Sequence, residues 1–105
     1  MNRSLTPEVC AELWISLASL LRSYTAAHGI HNNCHALVET DERKITVSFE
    51  EKWLSLNRDG AIVTWTRENG SSGTFVISEA GRLRSESSEE EMDMAAEAWA
   101  RELMR

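Results

Sequence analysis

The string His28-Gly29-Ile30-His31-Asn32-Asn33-Cys34-His35 gathers all three imidazoles and one of the two thiols of the chain into eight residues. Imidazole and thiolate are the ligand types of zinc, copper and nickel, and a loop leaving a helix end can fold them round one ion. His28, His31, Cys34 and His35 are therefore the candidate metal ligands. Their spacing matches no zinc-finger or ribbon pattern, no second ligand pair follows downstream, and it is not the C-x-x-C-H of haem attachment. The competing explanation is a polar segment behind a helix, with histidine drawn to the negative end of the helix dipole. The missing partner ligands favour that explanation, and no cofactor is expected.

Residues for acid-base or nucleophilic chemistry are scattered. No Gly-x-Ser-x-Gly elbow, no Cys-His signature and no phosphate-binding glycine loop is present, so the chain does not read as an enzyme. Gly70-Ser71-Ser72-Gly73 has the composition of a turn. Asn2-Arg3-Ser4 and Asn69-Gly70-Ser71 match the glycosylation pattern without a secretion signal to give it meaning.

These residues have to be positioned by a single domain spanning 1–105, since 105 residues suffice for one two-layer core and not for two. The charge of -6 is uneven: residues 1–35 sum to zero, residues 36–85 to -1, and the last twenty to -5. With no basic cluster, the chain repels a phosphate backbone, which argues against nucleic acid as the main partner. Two cysteines, Cys10 and Cys34, make no disulfide framework, and a reduced, cytoplasmic setting is the simpler expectation. Arg3 ahead of the apolar Val9–Leu21 stretch superficially resembles a signal peptide. Pro7 and Glu12 interrupt it, and no apolar run is long enough to span a bilayer.

A first helix is predicted over about 6–28. Thr6 is its N-cap, Pro7 suits the first helical position, and Glu8 suits the positive first turn. Cys10, Leu13, Trp14, Leu17, Leu20, Leu21 and Tyr24 make one apolar stripe. Gly29 is read as the left-handed residue that ends the helix. At the other end, Ser88-Glu89-Glu90-Glu91 matches a capping box opening a second helix over about 89–104. Its stripe is Met92, Ala95, Ala96, Trp99 and Leu103.

Between the helices, five or six strands are predicted within about 36–85. A tip at Asp41-Glu42 sets Val38 against Ile45 and Glu39 against Lys44. A tip near Glu51-Lys52 sets Phe49 against Leu54, and a type I′ tip at Asp59-Gly60 sets Leu56 against Val63 and Leu54 against Trp65. An odd-length loop within 68–73 sets Phe75 against Trp65. Glu79-Ala80-Gly81 makes a three-residue hairpin that sets Leu83 against Ile77, with Arg82–Ser85 as a short edge strand. The fold class is α+β: an antiparallel meander with both terminal helices on its apolar face, in two layers.

That register leaves the other sheet face polar, through Thr46, Ser48, Ser55, Asn57, Thr64, Thr66, Thr74 and Ser78. Trp53, placed opposite Thr66, interrupts it together with Ile62 and Val76. The candidate interaction residues are therefore Trp53, Ile62, Thr64, Thr66 and Val76. An isolated exposed apolar residue is commonplace, so the competing explanation for Trp53 is packing on its own neighbours.

The order helix, antiparallel meander, helix in a short acidic chain resembles the frataxin architecture. That resemblance implies metal binding or delivery as an alternative function. It covers topology: the acidic ridge of a frataxin is represented on the first helix by Glu8 and Glu12 alone, and Val63-Thr64-Trp65-Thr66 matches its tryptophan-containing motif in type only. Small acidic secretion chaperones are similar in size and charge but intersperse helices among strands. The function expected first is a non-enzymatic protein-interaction or adaptor domain, self-association included, working through the open sheet face or a sheet edge, with no membrane partner.

Overall fold

The computed structural model describes residues 6–30, 35–78, 80–86 and 88–104. Helix α1 (Pro7–Gly29) is followed by strands β1 (Leu37–Thr40), β2 (Lys44–Phe49), β3 (Lys52–Asp59), β4 (Ile62–Arg67), β5 (Ser72–Ile77), β6 (Arg82–Arg84) and β7 (Glu89–Glu91), and then by helix α2 (Met92–Leu103). The strands form one antiparallel sheet in the order β1 to β7, an uninterrupted meander. Both helices lie on one face of it and also pack against each other.

Helix α1 starts as its residues dictate: the Thr6 hydroxyl accepts the Val9 N–H at 3.1 Å, with Pro7 in the first turn. Its buried stripe of Cys10, Trp14, Leu17, Ala18, Leu21 and Thr25 recurs at helical spacing. Thr25, the one polar member, donates its hydroxyl hydrogen to the Leu21 carbonyl at 2.7 Å, so its burial leaves no bond unmade. Gly29 does not terminate the helix in a left-handed conformation. It is a buried helical residue, and Ile30 ends α1 at φ -64°, ψ -37°.

The core joins this stripe to Ile45, Val47, Leu54, Leu56, Val63, Phe75, Ile77 and Leu83 of the sheet and to Met92, Ala95, Ala96 and Leu103 of α2. Val38 and Trp65 pack at its margin. Full burial of each large aliphatic side chain contributes roughly 1.5–3 kcal/mol before entropy is counted.

Four of the five expected hairpin registers are displaced, each by two residues. The first pairs Val38 with Val47 and Thr40 with Ile45, because the Asp41 side chain caps the turn by accepting the Arg43 and Lys44 N–H groups, each at 2.8 Å. The second turns at Glu50-Glu51, with Glu50 at φ +57°, and pairs Val47 with Leu54. The third turns at Gly60-Ala61. Gly60 has φ +62° and Ala61 no positive φ, the pattern of a type II′ turn, so Asp59 stays in β3 opposite Ile62. The fourth pairs Val63 with Phe75 and Trp65 with Gly73. A Cβ on Gly73 would lie 2.7 Å from the Trp65 indole nitrogen, so the indole occupies the space above the glycine. The fifth hairpin is as expected, Ile77 opposite Leu83 with Gly81 left-handed at φ +77°, although Glu79 lies outside the described residues.

Among the described residues the sheet has seven strands rather than five or six, since Glu89–Glu91 pairs with Arg82–Arg84. Strand β6 is thus not the edge. The capping box is replaced too: Glu91 is the N-cap of α2 without a side-chain hydrogen bond, and Ser88 serves the β6–β7 turn, its carbonyl accepting the Ser85 N–H at 2.8 Å. Cross-strand pairing of Glu89 with Arg82 and Arg84, at 3.8 and 4.0 Å, takes the residues that local capping would have used.

Candidate functional site

Side chains on adjacent strands form rows across the sheet, and the helix-free face is read from those rows. One runs Glu39, Thr46, Ser55, Thr66, Ser72; the next runs Lys44, Asn57, Thr64, Thr74. Beyond Glu39 and Lys44 at the β1–β2 side, these rows make an uncharged hydroxyl and amide field in the middle of the face. At one end Ile62 lies directly beside Val76, exposed by 51% and 41%. At the other end Leu37, Ser48 and Trp53 share a row, with Leu37 exposed by 59% and Trp53 by 38%.

Of the five sequence-derived interaction residues, Ile62, Val76 and Thr64 fall close together. Thr66 is half-buried between Ser55 and Ser72. Trp53 is not opposite Thr66. It neighbours Glu68, whose carboxylate accepts the Trp53 N–H at 3.2 Å and whose own N–H donates to the Trp53 carbonyl. Asp59, the neighbour of Ile62, lies six positions along β3 from Trp53, which is about 20 Å. The face therefore has apolar groups toward both ends of a polar centre, the Ile62–Val76 pair flanked by Asp59 and Arg84, and Leu37 is a member that sequence reading missed.

The two sheet edges differ in chemistry. Strand β7 presents Glu89, Glu90 and Glu91, all exposed. Strand β1 presents Leu37, Val38, Glu39 and Thr40. The Asp41 N–H donates to the Lys44 carbonyl at 2.8 Å, which fixes the alternation of the first ladder. Leu37 and Glu39 turn their backbone groups toward β2, so those of Val38 and Thr40 point outward from the sheet.

The histidine segment is split by the fold. His28 Nε2 lies 2.8 Å from Glu97 Oε2, joining the end of α1 to α2, and Arg101 pairs with the other Glu97 oxygen at 3.3 Å. His35 borders a cavity of about 200 Å³ between α1 and β1, with Arg22, Thr25, Ala26, Ala36 and Val38. His31 and Cys34 lie outside the described residues. Among the described residues no three of His, Cys, Asp and Glu stand together as a metal site.

A cluster at the opposite end of α1 was not anticipated. Arg58 donates from Nε and Nη2 to the Glu42 carbonyl at 2.9 and 2.6 Å and from Nη1 to the Gly60 carbonyl at 3.3 Å. Its Nη1 is also 3.2 Å from the sulfur of buried Cys10, whose thiol donates to Gly60 O at 3.1 Å. The Trp14 indole N–H donates to the Asp41 carbonyl at 2.9 Å. The Asp41 carboxyl is held below its ordinary pKa, first by the Arg43 N–H and then by the Lys44 N–H. Beside the cluster lies a cavity of about 260 Å³ walled by Ala11, Trp14 and Ile15. The readable signal was parity: Leu54, Leu56 and Arg58 share one face, and a cation on an apolar face must find acceptors.

No helix among the described residues is long and apolar enough to cross a membrane. No protein-family model, no curated protein and no solved structure matches the chain, so the resemblance to the frataxins rests on element order alone.

Proposed function

We propose that the chain is a non-enzymatic interaction or adaptor domain that binds a protein partner, a second copy of itself included, through the helix-free face of its sheet. One observation supports this reading above the others. Both helices pack on the same face, and the uncovered face carries Ile62 and Val76 side by side at one end and Leu37 and Trp53 at the other. Exposed aromatic and branched aliphatic groups around a polar, uncharged centre are what a partner needs for anchoring and alignment.

The experiment is site-specific photo-crosslinking in cell extract, with the crosslinker at position 53 or 62 and, as a control, at the exposed α1 position Glu12. Protein adducts concentrated at 53 and 62, and lost on Trp53→Ala or Ile62→Asp, support the reading. Equal yields at all three positions, with every co-purifying protein unchanged in both variants, would retire it.

A further inference from the structure

We infer that the outer edge of β1 pairs with the same edge of a second copy, antiparallel about a two-fold axis at Leu37, so that the two sheets become one. This rests on the interaction-domain reading and names its partner. The outward N–H and C=O groups of Val38 form the template, since the Asp41–Lys44 bond shows them turned away from β2.

Three features select the same register. With Leu37 opposite its own copy, the row Trp53, Ser48, Leu37 runs on into Leu37, Ser48 and Trp53 of the second copy, and the most exposed apolar group of β1 is covered. Val38 then lies opposite Ala36 of the other copy, a large residue against a small one, over the 200 Å³ cavity that Ala36 and Val38 line with α1. Glu39 falls opposite His35 of the other copy on both sides of the axis, a carboxylate acceptor beside an imidazole. Shifting the pairing by two residues C-terminally about Val38 instead sets Leu37 against Glu39, and shifting it again sets Glu39 against itself.

Charge also selects a second copy in this orientation over a head-to-tail arrangement. Docking β1 on β7 would bring Glu39 against Glu89, Glu90 and Glu91, whereas β1 on β1 closes as a two-fold pair.

The test is sedimentation equilibrium of the full chain over a concentration series reaching about 0.5 mM, a range that detects affinities weaker than most stable complexes. A reversible dimer is expected. Leu37→Lys and Val38→Pro should each weaken it at least tenfold; proline at 38 removes an N–H that bonds to nothing in β2, and circular dichroism checks that the fold persists. Glu39→Lys should weaken it, and the double variant His35→Glu/Glu39→Lys should restore it. A monomer throughout the series overturns the inference, and so does a dimer indifferent to Leu37→Lys and Val38→Pro. If that indifferent dimer is lost with Ile62→Asp, the edge is wrong and the open-face reading stands; if crosslinking from 53 and 62 fails as well, both fall.

Discussion

The Arg58 guanidinium lies over the Trp14 indole, 5.6 Å from the ring centroid, and ties α1 to two turns of the sheet at once. The contact is a cation against an aromatic face, strengthened because the same cation satisfies the carbonyls of Glu42 and Gly60.

Arg58→Ala removes the stacking and leaves the Glu42 carbonyl without its donors. A loss of about 2 kcal/mol is expected from urea unfolding, with Arg58→Lys recovering less than half because a point charge cannot bond and stack in the same plane.

Glu50 occupies a left-handed conformation at φ +57° in the Glu50-Glu51 turn. A side chain there costs about 1–2 kcal/mol that glycine avoids, less the greater entropy glycine loses on folding. Glu50→Gly should therefore raise stability by about 0.5–1 kcal/mol, read as a higher urea midpoint at an unchanged slope. A lower midpoint would contradict the turn geometry.

Gly73→Ala has the opposite sign. Its new methyl would sit on the Trp65 ring, so the indole has to shift out of the space it now fills. Destabilisation of about 1–3 kcal/mol is expected, with a change in tryptophan emission that Gly70→Ala, in the open turn, does not share.

Asp41 supplies a pH dependence. Its folded pKa is depressed by the Arg43 and Lys44 N–H groups, so the stabilisation is present above the ordinary carboxylate value and is lost as pH falls through the folded one. Melting temperatures of wild type and Asp41→Asn should differ by a constant amount at neutral pH. Below about pH 4 the wild type should fall faster, because asparagine keeps an acceptor oxygen that does not titrate.

Much of the fold was legible in the sequence because errors of turn placement were even-numbered. Moving a hairpin by two residues changes which side chains are neighbours, as with Leu56 opposite Trp65 instead of Val63, yet leaves every residue on its own face. Val47, Leu54 and Leu56 are in the core on either register, and Thr64 and Val76 are outside it. What sequence could not supply was the competition between local and distant partners. Ser88 to Glu91 has the spacing of a helix cap, and only the position of Arg82 and Arg84 across the chain turns it into a strand. Arg58 and Arg67 were similarly hidden: both sit on the helix side of the sheet, Arg67 reaching Glu102 of α2 at 3.2 Å. The candidate site was legible in composition but not in layout, since the separation of Trp53 from Ile62 depends on where β3 turns into β4.

The glutamates of β7 give the two edges of the sheet different chemistry for strand addition. Pairing β7 with another β7 would stack acid on acid, and pairing it with β1 would set Glu39 beside those glutamates, so that end resists strand addition from a second copy. A two-fold pairing through β1 would use up that edge of both copies and leave the acidic edge facing outward on each side. Assembly by this route would halt at one addition.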